Sequence, residues 1–553
     1  MAIRSILSLL AGVGMLLFGI KTMGDGLEYA AGSKMKKILG TLTKNRFTAV
    51  LMGALVTALI QSSAATTVMV VGFVNAGLMT LAQAAGVIMG ANIGTTATSV
   101  LIALNLGSIA PVALFIGVFL YLFVKKDIVK HIGQTIAGSG MLFFGLNTMS
   151  SATEFLQSSD AFIGFITKYS NPFIGILIGI VITVAIQSSA GSIGILQALA
   201  LQGLIPLNFA IYIIYGQNIG TVVTALISSA ASKTNSKRAA VIHLLFNVVG
   251  TIIFLLITAF TPYVSLLESF TDNPAAQISA AHIIFNVVST IIIFPFINKL
   301  IKLSCILVPE KEEEAEDKSQ FKFYDTRLLS TPPVAVAQIG REVVRMAELA
   351  RKNLNRAADA LINADTSKCG KIIETEDTIN FLNHNITSNL VKINALDLDY
   401  SDAKYIGRLF HVVNDIERIG DHALNLSEAA QVRVGERMEI SDEALAELEN
   451  MRRCTMTLLD GAISAFEKQE LTAEEASRLG KLENTVDDLK REYETKHIER
   501  LNKNRCETRA GLMFVNTLID FERVGDHAMN IAWKVRKRPQ EEIEAEPAVI
   551  GNI

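Results

Sequence analysis

Two long stretches of this 553-residue chain hold no charged side chain at all: Phe47 to Val124 and Tyr169 to Ser232. Lipid solvates ions poorly, and about 20 apolar residues suffice for a helical crossing, so these stretches read as membrane-embedded. Cysteine is scarce as well. Cys305, Cys369, Cys454 and Cys506 stand apart with no Cys-x-x-Cys pair. That excludes a zinc ribbon or a dithiol redox motif and suits thiols kept reduced in cytoplasm. There is no Walker-type loop, and the apolar half carries no nucleophile–base arrangement, so an enzyme is not expected. No basic stripe marks a nucleic-acid surface. The N-terminal apolar run lacks a signal-peptide cleavage pattern and is read as a span.

Acidic residues are nearly missing from the first part. Residues 1–308 hold 16 Lys/Arg and 7 Asp/Glu, a net of +9, whereas the remainder holds 34 and 46, a net of −12. An apolar membrane domain is therefore expected to be followed by an acidic, water-soluble one.

What the membrane part does contain is written twice. Gly14-Met15-Leu16-Leu17-Phe18-Gly19 matches Gly140-Met141-Leu142-Phe143-Phe144-Gly145, and Gln61-Ser62-Ser63 matches Gln187-Ser188-Ser189. Gly90-Ala91-Asn92-Ile93-Gly94-Thr95 matches Gly216-Gln217-Asn218-Ile219-Gly220-Thr221, and all three pairs share an offset of 126 residues. One register held over three motifs is an internal repeat, here about 5–125 and 131–260, with an extra helix near 278–298. His243-Leu244-Leu245-Phe246-Asn247 also resembles His282-Ile283-Ile284-Phe285-Asn286; both histidines are expected to be helix-packing or interfacial.

In the first repeat the pattern predicts helices near 5–23, 47–60, 64–77, 82–103 and 109–124. The segments flanking Gln61-Ser62-Ser63 are about 14 residues each, too short to cross, and read as a re-entrant hairpin. Three full crossings then remain per repeat, an odd number, so the second repeat is inverted. Lys34, Lys36, Lys37, Lys44, Arg46, Lys125, Lys126, Lys130, Lys233, Lys237, Arg238, Lys299 and Lys302 fall on one side, against Arg4 and Lys168 on the other. The positive side is expected to be cytoplasmic, with the N-terminus outside and the second domain inside. Lys21, at the end of the first span, reads as a snorkelling residue.

A hairpin tip exposes N–H groups at the start of its second half-helix, which together with hydroxyls form an anion site without a basic side chain. Tip carbonyls, amide oxygens and hydroxyls suit a small alkali cation. Broken helices at inverted repeats are where secondary transporters bind substrate and coupling ion. The plainer reading is that Ser and Thr satisfy backbone carbonyls and Gly packs helices. Two copies of both motifs, in one register, favour the functional reading.

After the charged run Pro309–Asp317, amphipathic helices are expected near 334–363, 366–396, 401–433, 441–469, 472–503 and 506–536, with a linker over 306–333 and a disordered tail over 538–553. This part is duplicated too. Asp415-Ile416-Glu417-Arg418-Ile419-Gly420-Asp421-His422 matches Asp520-Phe521-Glu522-Arg523-Val524-Gly525-Asp526-His527 at an offset of 105, and Asn425 matches Asn530. Glu376-Asp377-Thr378-Ile379-Asn380 pairs with Glu483-Asn484-Thr485-Val486-Asp487. Glu417 with Asp421, and Glu483 with Asp487, stand at i and i+4 on one helix face. Two such faces meeting in a bundle offer several carboxylates to a divalent metal; the alternative is a solvated face in which Arg418 pairs with neighbouring acids.

Over about 1–305 these motifs resemble the type II sodium/phosphate cotransporter family, and 334–537 resembles the PhoU family of tandem three-helix bundles. The fold implied is all-α: a polytopic membrane domain of two inverted repeats with re-entrant hairpins, plus a cytoplasmic PhoU-like domain. The resemblance implies Na⁺-coupled uptake of inorganic phosphate into the cell across the inner membrane. On this reading Ser62, Ser63, Ser188, Ser189, Asn92 and Asn218 contact phosphate, while Gln61, Gln187, Thr66, Ser192, Thr95 and Thr221 bind Na⁺ or shape its site. Ala64 and Ala190 stand where the family often has a third serine, so an ion count does not carry over. The PhoU-like part is expected to regulate the transporter and to hold a metal, divalent or specifically iron or zinc, on Glu376, Glu417, Asp421, Glu483, Asp487, Glu522 and Asp526. Asn380 in place of an acid makes the first of its two faces the weaker. Export of phosphate, or a membrane-anchored phosphate sensor, are the alternatives. Expected partners are phosphate, Na⁺ and the bilayer, with a homodimer left open.

Overall fold

A computed structural model of the chain describes residues 2–41, 45–104, 106–157, 171–230, 232–310, 320–396, 398, 400–503 and 505–535, with backbone alone for 2–3, 30–41 and 154–157. The side chains of Lys34, Lys36 and Lys37, together with Lys44, Lys168, residues 311–319 and the tail beyond 535, lie outside what is described. Among the described residues the chain is all-α, in two compact units, 1–314 and 315–553.

The first unit runs α1 (Ala2–Thr41), α2 (Arg46–Ile60), α3 (Ser63–Asn75), α4 (Leu81–Ala103), α5 (Ala110–Phe123) and α6 (Asp127–Gln157). It continues with α7 (Pro172–Ile186), α8 (Ser189–Leu201), α9 (Leu207–Gly220), α10 (Val223–Ser229), α11 (Thr234–Phe260), α12 (Tyr263–Phe270), α13 (Pro274–Ile293) and α14 (Ile297–Leu307). The hairpin helices start on matched caps. Asn45 accepts from Thr48 N at 2.9 Å in a capping box, and Asn171 accepts from Ile174 N at 3.0 Å with Pro172 at the first helical position. They leave by matched turns, with Gly77 at φ 70° and Gly203 at φ 69° in the left-handed region that glycine adopts without cost.

Among the described residues five helical stretches are long and apolar enough to cross a membrane: Arg4–Tyr29, Leu81–Ala103, Leu207–Ser229, Thr234–Phe260 and Pro274–Leu307. Two departures from the sequence reading concern length. α1 runs on to Thr41 rather than stopping near 23, because loss of hydropathy ends lipid contact but not the hydrogen-bond ladder, and no proline interrupts it. α5 has 14 residues, about 21 Å at 1.5 Å per residue, short of a full crossing. Its Phe115, Phe119, Leu122 and Phe123 are exposed, as on a lipid-facing helix.

The inversion of the repeats follows from helix packing. α1 and α6 are counterparts at the 126 offset, and they meet backbone to backbone through glycines. A Cβ on Gly12, Gly19 or Gly26 would stand 2.6 Å from Met149, 2.4 Å from Leu142 or 2.6 Å from Thr135. The partner number falls as the first number rises, so the helices are antiparallel. The reciprocal pairs, Gly138 on Met23 and Gly145 on Leu16, are present as well. Two equivalent helices antiparallel about a pseudo-twofold axis make the repeats inverted. α2 packs parallel to α4 in the same close manner, Gly90 on Val50 and Gly94 on Ala54, and α7 on α9 repeats it through Gly216 on Ile176 and Gly220 on Ile180. Glycine thus does pack helices here, as the plainer reading expected.

His243 and His282 are fully buried and not interfacial. His243 Nε2 lies 3.1 Å from Asn92 Oδ1, and His282 Nδ1 lies 3.5 Å from Ser99 Oγ, so both pack α11 and α13 against α4.

Among the described residues the second unit has six α-helices, α15 (Pro332–Asn363), α16 (Cys369–Asn394), α17 (Tyr400–Gly435), α18 (Asp442–Lys468), α19 (Ala473–Asn502) and α20 (Thr508–Trp533). Buried apolar residues recur at helical spacing along their inner faces, as Leu409, Val412, Val413, Ile416, Ile419 and Ala423 do on α17.

Candidate functional site

Each hairpin turns at its glutamine. Gln61 has φ 57° and Gln187 φ 55°, left-handed conformations that cost an L-residue about 1–2 kcal/mol. The next residue is the N-cap of the returning helix. Ser62 Oγ accepts from Ala65 N and Ser188 Oγ accepts from Gly191 N, both at 3.1 Å. Helix geometry then leaves the N–H groups of Ser63 and Ala64, and of Ser189 and Ala190, without an acceptor inside their helix. The two tips meet on the pseudo-axis, where Ser63 Oγ and Ser189 Oγ are 3.4 Å apart.

Around this meeting point lies a cavity of about 50 Å³ lined by Gln61, Ser62, Ser63 and Ala64 and by their counterparts Gln187, Ser188, Ser189 and Ala190. The second repeat alone adds Thr183, Val184, Gly220, Thr221, Val223 and Thr224. One water needs roughly 10–15 Å³ on this measure, so the space suits a few waters or one small polyatomic ion. The lining carries no formal charge. Its donors are hydroxyls, amides and two helix N-termini, a set that stabilises an anion through partial charges.

The remaining sequence-derived residues stand in three places. Thr66 and Ser192 lie one turn behind the tips, accepting from Thr57 Oγ1 at 3.0 Å and from Thr183 Oγ1 at 2.9 Å. Thr221 lines the cavity and donates to Gln217 O, whereas Thr95 is buried and donates to Ala91 O. Asn92 and Asn218 do not line it: Asn92 is held by His243 and Asn247, and Asn218 donates to Ile214 O at 2.9 Å. Sequence reasoning missed Thr57 with Thr183, and Thr98 with Thr224. Each pair keeps threonine at the 126 offset, a signal that was there to read.

In the second unit the repeated block builds a different constellation. His422 Nδ1 meets Asp520 Oδ1 at 2.8 Å and His527 Nδ1 meets Asp415 Oδ1 at 2.9 Å. Asn425 and Asn530 donate to the same two carboxylates, and the rings are 6.0 Å apart. This reciprocal clasp joins α17 to α20 about a second pseudo-axis.

The acidic residues divide into two unequal faces. Glu376, 4% exposed, has neither carboxylate oxygen hydrogen-bonded. Burial, then the charges of Asp421 and Glu417, push its pKa up to about 7. Glu417 is raised by burial and by Asp421. On the other face burial and then Asp487 and Asp526 raise Glu483, but Glu522 is met by Lys490 at 3.5 Å. Arg418 and Arg523 pair with Asp421 at 3.4 Å and with Asp526 at 3.3 Å, as the solvated-face alternative expected. Among the described residues no three His, Cys, Asp or Glu side chains converge as metal ligands. The donor chemistry of Glu376, Glu417 and Asp421 nevertheless fits a hard or borderline cation.

Broken helices meeting tip to tip at the axis of two inverted repeats are the build of a membrane transport domain. Family comparison agrees: residues 15–151 and 154–284 match the Na⁺/Pi-cotransporter model, and residues 343–430 and 448–535 match the PhoU domain. The chain belongs to the Na⁺/Pi-cotransporter family and carries two PhoU repeats behind its membrane domain. It is 25% identical to YjbB of Escherichia coli (strain K12), a protein provisionally named for inorganic phosphate export, over 97% of this chain and 98% of that one. It is 33% identical to YqeW of Bacillus subtilis (strain 168), an uncharacterized protein, over 55% of this chain and 99% of that one. The crystal structure of PhoU from Pseudomonas aeruginosa aligns at 28% identity, covering 36% of this chain and 94% of that one, with a TM-score of 0.34.

Proposed function

We propose that this protein is a secondary active transporter coupling Na⁺ to the movement of inorganic phosphate across the cell (inner) membrane. The observation that carries the reading is the uncharged cavity at the meeting of the two Gln-Ser-Ser tips. Phosphate sits between the tips, taking hydrogen bonds from Ser62, Ser63, Ser188 and Ser189 and from the N–H groups beside them. Asn92 and Asn218 act one layer further out. Na⁺ is held by oxygens of Gln61, Gln187, Thr66, Ser192, Thr95 and Thr221. The lysine- and arginine-rich side is cytoplasmic, so the N-terminus is outside and the acidic unit inside. That unit regulates the transporter, and a divalent metal, iron or zinc held by Glu376, Glu417 and Asp421 would supply a partner for the Glu376 carboxylate, which has no hydrogen bond.

Under a physiological inward Na⁺ gradient such coupling drives phosphate into the cell. A second reading, export, is favoured by the full-length similarity to a relative named for that direction. Radiolabelled phosphate flux in proteoliposomes, with the Na⁺ gradient imposed inward and then outward, tests both. Accumulation following the Na⁺ gradient is expected; flux indifferent to Na⁺ removes the coupling, and no flux at all leaves a sensor.

A further inference from the structure

The two halves of the site are built from the same residues but are not in the same state. In the first repeat Gln61 is clasped: Thr98 Oγ1 donates to its Oε1 at 2.5 Å, and its Nε2 donates to Ala58 O. Thr98 is 1% exposed, Ser63 is buried, and α1 closes over this tip, with Gly24 against Ile60 and Gln61. In the second repeat the same positions are apart. Gln187 is exposed, Ser189 and Thr224 are partly exposed, and all three line the cavity. The Thr224 hydroxyl donates instead to Thr221 O on its own strand of helix, at 3.1 Å. The backbone differs in step. α4 is continuous past Thr98, whereas its counterpart is interrupted between Gly220 and Val223, immediately before Thr224.

We propose that Thr98 and Thr224 are positioning residues for the hairpin glutamines, and that the two Gln–Thr clasps alternate. With Gln61–Thr98 closed, the cavity opens beside the second hairpin. With Gln187–Thr224 closed and the second helix straightened, the mirrored cavity opens beside the first. The proposal rests on the transport reading, since alternation is useful only to a molecule that exposes one site to two sides. Its physical basis is that the same hydrogen bond is made in either state, so neither state is strongly preferred and a bound ion tips the balance.

The test uses the full chain in membrane vesicles of either orientation, with Cys305, Cys369, Cys454 and Cys506 replaced by serine. A single reporter, Val223→Cys in the cavity or its counterpart Ala97→Cys, is labelled with a membrane-impermeant maleimide. Thr98→Val is expected to slow labelling at 223 and speed it at 97, each by roughly two- to tenfold, the weight of one buried hydrogen bond. Thr224→Val is expected to do the reverse, and the two reporters to be reached from opposite sides. Thr98→Ser and Thr224→Ser, which keep the hydroxyl, are expected to restore the parent rates and to separate clasp loss from misfolding. Both valine variants moving a reporter in the same direction, or neither moving it, overturns the alternation. Labelling needs no phosphate flux, so it is read even where the transport assay fails, and intact flux with unmoved reporters removes the clasps alone.

Discussion

Ser63 and Ser189 are one residue used twice, and their 3.4 Å approach makes each depend on the other for the shape of the proposed anion site. A hydroxyl donating to a charged ligand contributes about 1.5–3 kcal/mol. Ser63→Ala and Ser189→Ala should therefore each weaken phosphate binding about ten- to a hundredfold, measured as half-saturation in flux or by equilibrium binding; an effect from only one would contradict a shared site. Glu376 carries a second expectation. Its pKa is raised from 4.5 to about 7, so its protonated form favours the folded state. That stabilisation is complete below pH 4.5 and is lost as pH rises through 7, a difference on the order of 2 kcal/mol. Trp533, the chain's single tryptophan, lies on α20, so its fluorescence follows melting of this unit within the whole protein. Melting temperature should fall from pH 5 to pH 8 in wild type and fall less in Glu376→Gln. At this scale the sequence was legible where a motif stood alone in apolar surroundings, as Gln-Ser-Ser does. It was not legible for Lys490, because a lysine in a charged helix looks the same whether or not it neutralises Glu522.

Several helices approach one another closely at glycine. A Cβ on Gly216 would stand 2.0 Å from Ile176 O, and one on Gly90 1.9 Å from Val50 O. Both partners are backbone atoms that cannot rotate away, so Gly216→Ala and Gly90→Ala must push α7 from α9, or α2 from α4. A loss of several degrees in melting temperature is expected, in line with overpacking costs of about 1–3 kcal/mol. Gly14→Ala, which meets nothing within 4 Å, is the control and should melt as wild type. The hairpins could be read from segment length; the odd crossing count behind the inversion included α5, which is short of a full crossing, so the inversion rests on the antiparallel packing of α1 and α6. The length of α1 could not be read, since hydropathy reports the solvent and not the helix end. Nor could the break between α9 and α10: Gly220-Thr221 and Gly94-Thr95 are the same words, yet α4 stays whole.

Two compact units divide the molecule at 314/315, each with its own buried core, so each should fold without the other. A chain ending at Glu314 is expected to keep Na⁺-dependent phosphate flux while losing whatever response metal or pH exerts through Glu376; the flux assay with and without chelator reads both. Flux abolished by the truncation would make the second unit part of the transport machinery and not its regulator. The uncharged cavity has an electrical consequence. No lining side chain can cancel the charge of what enters, so the load on the membrane potential is the sum over the ions aboard, at about 2.3 kcal/mol per uncompensated elementary charge per 100 mV. Current per phosphate, measured across a clamped bilayer at a pH where one ionic form of phosphate predominates, is therefore expected to count any cations that travel with it, and to do so without any of them being seen.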